Sequence, residues 1–278
     1  MPQPLASLDR VQLREQGKSL SLTILPGELI AVMGPTNSGK SDLLDFVSGG
    51  RPPRSGTVDC DVPRVLCGDP AFPRRATPMG LAKAAADSPE TQRMAVALTA
   101  LGLAELRDTQ VSRLTPSQMI ASALIGALVP ERGLVCIDGL LDLLDPWRRE
   151  SVWRAIDDDL DLGKSFVIAT NSPALAERCD QIVVVGGGSM VFAGTVAKLL
   201  ADAGPTTFTV ECDDQSAVAA MVEPFAINIK KSPGQVVFTS HRNQAMAAHL
   251  LTYGYGAVKS VVATEPTVAD ALRSLRVY

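Results

Sequence analysis

Along this chain, short apolar runs alternate with segments whose apolar residues recur at helical spacing. Glu28-Leu29-Ile30-Ala31-Val32-Met33 is an apolar run of strand length, and Asp42-Leu43-Leu44-Asp45-Phe46-Val47 follows it with helical periodicity. The same reading predicts short strands at Thr57–Cys60 and Arg64–Cys67, helices over 82–106 and 117–129, and a strand over 133–138 that ends in a carboxylate. Two more apolar strands are expected at 165–170 and 181–185, with a helical stretch over 173–178 between them. Strands apolar on both faces and alternating with helices predict a parallel sheet covered on both sides, an α/β fold.

From about Thr206 the rhythm changes. A strand over 207–212, a helix Gln215–Val222, strands over 225–230 and 236–240, a helix Asn243–Tyr253 and a strand over 257–263 give the order βαββαβ, with a last helix near 267–275. That order predicts a small C-terminal ferredoxin-like α+β domain. The turn-rich Ala203-Gly204-Pro205 sets the expected boundary, with domains at 5–204 and 205–278.

Composition narrows the class. The chain has 278 residues, 46% of them hydrophobic, enough for one large domain with an appendage. The longest apolar stretch, 119–129, is too short to span a bilayer, and no charged segment leads into an apolar one at the N-terminus, so a cytoplasmic location is expected. A formal net charge of −4 gives no electrostatic reason to expect nucleic acid as a partner. Cys60, Cys67, Cys136, Cys179 and Cys212 are scattered without metal-ligand spacing, and their odd number points to reduced, mostly buried thiols. His241 and His249 find no further ligands for a metal site.

The segment joining the first apolar run to its helix carries the chemistry. Gly34-Pro35-Thr36-Asn37-Ser38-Gly39-Lys40-Ser41 is a complete G-x-x-x-x-G-K-[ST] phosphate-binding loop in the required order of strand, loop and helix. Glycines let several backbone N–H groups face one anion, and the helix N-terminus adds its dipole. Lys40 is expected to meet the β- and γ-phosphates, and the Ser41 hydroxyl to complete the shell of a Mg²⁺ ion shared with the nucleotide. Asp138, at the end of an apolar strand, stands where such a site places the carboxylate that supports Mg²⁺ from its outer coordination shell.

Here a family resemblance becomes specific. Asp138-Gly139-Leu140-Leu141-Asp142-Leu143-Leu144-Asp145-Pro146 resembles the Walker B and D-loop stretch of ATP-binding cassette (ABC) ATPases, which usually reads D-E-P-T-S-A-L-D-P. The turn at 48–56, Asp69-Pro70-Ala71-Phe72-Pro73, and Arg178-Cys179-Asp180-Gln181-Ile182 with Gly194 follow in the family's order. The resemblance implies a P-loop NTPase core of the ABC type with a helical subdomain, and head-to-tail dimerisation that sandwiches each ATP between one chain's Walker A loop and the other's signature. Glu265-Pro266-Thr267-Val268-Ala269-Asp270 resembles the ending of a small domain appended to ATPases of bacterial exporters whose permease is a separate chain.

Several family positions are changed. Gly139 stands where the family has the Glu that polarises water, and glycine has no base to offer. Asn171 aligns with the switch histidine, and Gly68 with the Q-loop glutamine. The signature L-S-G-G-Q aligns with Leu114-Thr115-Pro116-Ser117-Gln118, where Pro116 removes a backbone donor and Ser117 adds a Cβ at a phosphate approach. Asp42 puts a carboxylate near the expected α-phosphate, and no aromatic stands near 14–17 to stack on adenine.

The expectation is an ATP-binding subunit of an exporter, impaired or inactive in hydrolysis. It would dimerise with itself or with another ABC ATPase, and would be held at the inner face of the membrane through a permease subunit. Two alternatives stand beside it: an active ATPase in which Asp142 or Asp145 replaces the missing groups, and a non-transport scaffold that has lost nucleotide, with Asp42 as its reason.

Overall fold

The computed structural model describes residues 3–86, 91–131, 133–241, 243–253 and 257–275. The chain divides into two compact units, one running to Val196 and one beginning at Ala197.

In the first unit the elements run β1 (Ala6–Val11), β2 (Leu20–Ile24), β3 (Leu29–Met33), α1 (Lys40–Ser48), β4 (Thr57–Cys60), β5 (Arg64–Cys67), α2 (Pro78–Ala85), α3 (Thr91–Ala100), α4 (Pro116–Ala123), α5 (Ile125–Leu128), β6 (Leu134–Asp138), α6 (Pro146–Asp161), β7 (Ser165–Ala169), α7 (Pro173–Ala176), β8 (Gln181–Gly186) and β9 (Ser189–Thr195). The main sheet has the order β5-β6-β7-β3-β8-β9. Its first five strands are parallel, and β9 returns antiparallel on β8. All five residues of β3 and all five of β7 are buried, as the apolar runs require of strands covered on both faces.

A second sheet, β2-β1-β4, is antiparallel. Its inward residues Leu8, Val11, Leu22 and Ile24 share one core with Leu43, Leu44, Phe46 and Val47 of α1 and with Ile30 and Val32 of β3. Helix α1 is therefore buried by both sheets, at about 1.5–3 kcal/mol for each large apolar side chain removed from water. The sequence reading placed Thr57–Cys60 among the strands correctly but gave no sign that it pairs with β1 in a separate sheet.

Helices α2 to α5 form a cluster of their own. The single helix expected over 82–106 is instead α2, α3 and a 3-10 turn at Ala104–Leu106. Residues 87–90 of that expectation lie outside the described residues, and Gly102 (φ 64°) turns the chain after α3. The helix expected over 117–129 is likewise two, α4 and α5, meeting at Leu124. The four buried cysteines and the half-buried Cys60 are free thiols, and burial pushes Cys67 and Cys179 up to about 12.

In the second unit, helix α8 (Val196–Ala201) leads to β10 (Thr206–Cys212), α9 (Gln215–Val222), β11 (Ile229–Ser232), β12 (Gln235–Ser240), α10 (Asn243–Tyr253), β13 (Val258–Thr264) and α11 (Val268–Ser274). The strands form one antiparallel sheet in the order β11-β12-β10-β13. Phe208, Val210, Val236 and Phe238 pack against Val218 and Val222 of α9 and Met246 and Leu250 of α10, with the two phenylalanine rings stacked at 5.2 Å. The strand expected over 225–230 lies further on, at β11. Ser232 pairs with Gln235 across Pro233 and Gly234 (φ 77°), so this tight turn fixes the register and leaves Phe225 in a turn closing α9.

A buried ionic cluster ties the helical group to the main sheet. Lys164, fully buried, donates to Asp159 Oδ2 (2.9 Å) and to the carbonyls of Ala127 (2.5 Å) and Pro130 (2.7 Å). Arg93 of α3 donates to Asp159 Oδ1 (2.6 Å) and to the carbonyls of Val129 and Pro130 (both 2.9 Å). One buried carboxylate thus serves two cations, Lys164 fully buried and Arg93 partly exposed. Asp159→Ala leaves both without an anion and is expected to cost about 3–5 kcal/mol, read as a fall in the urea midpoint of the first unit's unfolding.

Candidate functional site

The parallel register decides what meets what. Val32 of β3 pairs with Ala169 of β7, and Ala169 pairs with Asp138 of β6, so the ends of three strands stand side by side at one edge of the sheet. That edge is the carboxyl end, where open α/β sheets place their ligands. Residues 34–41, Asp138 and Asn171 all leave from it.

Between β3 and α1 the chain curls through three positive φ angles: Gly34 at 151°, Asn37 at 61° and Gly39 at 109°. A Cβ at Gly34 would overlap the Val185 carbonyl oxygen, so the loop sits directly on β8 and only glycine fits there. Asn37 is a side chain that tolerates the left-handed region. The loop is braced from outside by Gly188 N–H, which donates to the Ser38 carbonyl (3.0 Å), and by the Arg14 guanidinium, which donates to the Asn37 carbonyl. Lys40 reaches back over the loop and donates to the carbonyls of Gly34 (2.6 Å) and Pro35 (3.0 Å). Burial pushes the Lys40 ammonium below the usual lysine value, while the negative charges of Asp138 and Asp142 pull it the other way. The Ser38 hydroxyl is buried without a partner.

Across the edge, β6 ends at Asp138, and Gly139 (φ 70°) starts a 3-10 turn at Leu140–Leu143. A Cβ at Gly68 would touch only the Asp138 Cβ, at 3.7 Å, so position 68 stands beside the carboxylate. At Gly139 a Cβ would meet nothing within 4 Å, so the space beside it is open. Asp142 turns back to the end of β7, where its Oδ1 accepts from the Thr170 hydroxyl (2.5 Å) and its Oδ2 from Asn171 N–H (2.8 Å). Asp145 caps α6 by accepting from Arg148 N–H (2.9 Å), and that backbone bond holds its carboxyl below the usual range.

The segment 114–118 forms the start of α4. Thr115 and Gln118 close a capping box, Thr115 N–H donating to Gln118 Oε1 (2.9 Å) and Gln118 N–H to Thr115 Oγ1 (3.4 Å), with Pro116 in the first turn. The Thr115 hydroxyl is therefore already in use as a cap. The Ser117 hydroxyl accepts from Arg148 (3.0 Å), which joins this helix start to α6.

Sequence reading missed the cavity beside the loop. It measures about 550 Å³ and is lined by Leu13, Arg14, Glu15, Asp42, Arg51 and Arg54 among others, a size suited to a small ligand. Asp42 does not face it as a lone charge, since Arg51 bonds to Asp42, lies 3.7 Å from Asp45 and stacks on Phe46 at 5.0 Å. The arginines lie in the segments 14–17 and 48–56, which the sequence singled out separately without showing that they meet. Among the described residues no group of three or more His, Cys, Asp or Glu could hold a metal by itself, and no helix is long and apolar enough to cross a membrane.

A buried strand, a glycine loop braced on its neighbour and a lysine folded over it define a P-loop nucleotide-binding domain. Residues 17–140 match the sequence model of the ABC transporter family. The chain is 28% identical to the lipoprotein-releasing system ATP-binding protein LolD 1 of Rhodospirillum rubrum over 232 positions, which cover 69% of this chain and 100% of that one. It is 28% identical to the thiamine import ATP-binding protein ThiQ of a Jannaschia species, covering 70% and 95% of the two. Among solved structures, an ATP-binding subunit of an ABC transporter aligns with a TM-score of 0.61 at 19% identity over 70% of this chain and 91% of that one. A bacterial Atm1-family ABC exporter with ATP bound aligns at 0.61 and 16% identity, over 71% and 39%. These likenesses support an ABC transporter ATP-binding domain in the first unit.

The two glycines bear different loads. Gly139→Ala is expected to cost about 1 kcal/mol, for left-handed backbone alone, and Gly34→Ala about 2–3 kcal/mol, because the loop must leave β8. Urea denaturation of the two variants checks the order.

Proposed function

We propose that this chain is the ATP-binding subunit of an ABC-type exporter, which holds Mg-ATP but hydrolyses it poorly or not at all. The observation that carries this reading is the open space at Gly139 beside an otherwise organised cradle. Residues 34–39 supply backbone N–H groups, Lys40 the cation, and Ser41 and Asp138 the oxygens that would steer Mg²⁺ bound through the nucleotide. The buried, unpartnered Ser38 hydroxyl and the positive φ angles fit a loop shaped around an anion. ABC ATPases in general bind Mg-ATP, dimerise and associate with permeases.

The two substitute carboxylates are committed elsewhere. Asp142 holds Thr170 and Asn171, and Asp145 caps α6, which favours impaired over rescued hydrolysis. The scaffold reading loses its main support, because Arg51 neutralises Asp42. Leu143 and Trp147 are 61% and 87% exposed on either side of Asp145 and Pro146, an apolar pair that supports a partner ATPase on this face. In a homodimer both sites would lack the carboxylate, whereas a heterodimeric partner could supply one complete site. The second unit and its Glu265-Pro266 segment support the exporter branch and attachment to a separate permease at the cytoplasmic face.

Titration of the purified chain with Mg-ATP should show binding that Lys40→Ala abolishes. Turnover should stay well below ~1 s⁻¹. Gly139→Glu should raise it despite the left-handed backbone. Fast turnover in the unaltered chain, lost in Lys40→Ala, would overturn the impaired reading.

A further inference from the structure

One end of the second unit's sheet gathers polar groups that the fold does not use. Thr206 opens β10 and pairs with Ser240, the last residue of β12, while Thr207 pairs with Thr264, the last residue of β13. Because both pairings are antiparallel, the residues that follow the two neighbouring strands, His241 and Glu265, arrive on either side of the start of β10. A cavity of about 330 Å³ opens there, walled also by Leu200 of α8, Pro205 and Pro266, and it lies wholly within the second unit. That volume suits a small ligand, and apolar walls with a few convergent polar groups are what such a ligand needs. The Thr206 hydroxyl is buried without a partner. The exposed His241 and Glu265 side chains make no hydrogen bond or ion pair among the described residues.

We propose that this cavity binds a primary ammonium carried on a small apolar body. Glu265 is the only acid, and no lysine or arginine stands among the described lining residues, so the charge of the wall calls for a cation. An ammonium has three N–H donors and no acceptor, and the wall offers a carboxylate, a hydroxyl oxygen and, in the neutral imidazole, one ring nitrogen. A metal ion fits less well, because among the described residues no third His, Cys, Asp or Glu joins His241 and Glu265. Leu200, Pro205 and Pro266 leave the rest of the cavity to an apolar group, which gains by leaving water. In the sequence His241 has no visible partner, since Thr206 and Glu265 reach it only through strand register. The cavity shares no residue with the phosphate loop, so its occupancy does not depend on the ATP-binding reading.

The test is calorimetric titration of the full chain at pH 7 with benzylammonium, and with benzyl alcohol and benzoate as its neutral and anionic counterparts. Benzylammonium is expected to bind saturably with a Kd on the order of 1 mM, and the other two roughly tenfold more weakly or worse. Glu265→Gln removes the charge and keeps the shape at an exposed position, and should weaken benzylammonium roughly tenfold. Glu223→Gln, an exposed acid at the end of α9, should leave the affinity unchanged. Thr206→Val removes the unpartnered hydroxyl, so it should weaken binding while the urea midpoint of the second unit holds or rises. A falling midpoint would assign that hydroxyl to the fold and overturn its part in the site. Absence of saturable binding, equal affinity for the three compounds, or Glu265→Gln and Glu223→Gln acting alike overturns the ammonium site as a whole, and leaves Mg-ATP binding in the first unit untouched.

Discussion

The hydrogen-bond register of three parallel strands governs the candidate site. With Val32, Ala169 and Asp138 in line, the phosphate loop, the 170–172 bend and the turn after β6 must emerge at one edge, within reach of one another. A slip of one residue in any of these strands would turn each side chain to the other face, into space packed for a different residue, and move Asp138 out of line with the phosphate loop. The complete burial of β3 and β7 makes such a slip prohibitive. The chemistry of the edge thus inherits its geometry from the core.

Charge is handled differently at the two polar centres of the first unit. In the cluster of Arg93, Asp159 and Lys164, the Lys164 cation and the anion are taken out of water while Arg93 stays partly exposed, and spare N–H groups are satisfied by carbonyls at the end of α5. Such an arrangement is costly to interrupt and fixes the helical group against α6 and β7. At the strand edge the ions stay half-exposed, and the Lys40 ammonium is held only by loop carbonyls that a phosphate could replace. The first centre is built to remain closed and the second to exchange partners.

The positions singled out in the sequence form a connected set in space. Gly68 lies beside Asp138, Gly139 opens the floor next to it, Asp142 turns in from the same turn, and Asn171 hangs from Asp142. Ser117 is joined to the same helix that Asp145 caps, through Arg148.

The sequence alone determined the phosphate loop, the apolar strands of the main sheet and the βαββαβ order of the second unit, because each depends on local spacing: glycine freedom at set intervals, runs apolar on both faces, or a change of period. It also determined that position 139 offers no side chain, since a glycine is a glycine in any fold. Only the tertiary structure decided that Asp42 is neutralised by Arg51, that Asp142 is occupied by Thr170 and Asn171, that β4 belongs to a separate sheet, and that Pro233 and Gly234 set the β11 register. These depend on residues far apart in the chain, or on two strands competing for one turn. Periodicity carries no information about which distant partner a charge or a strand will find.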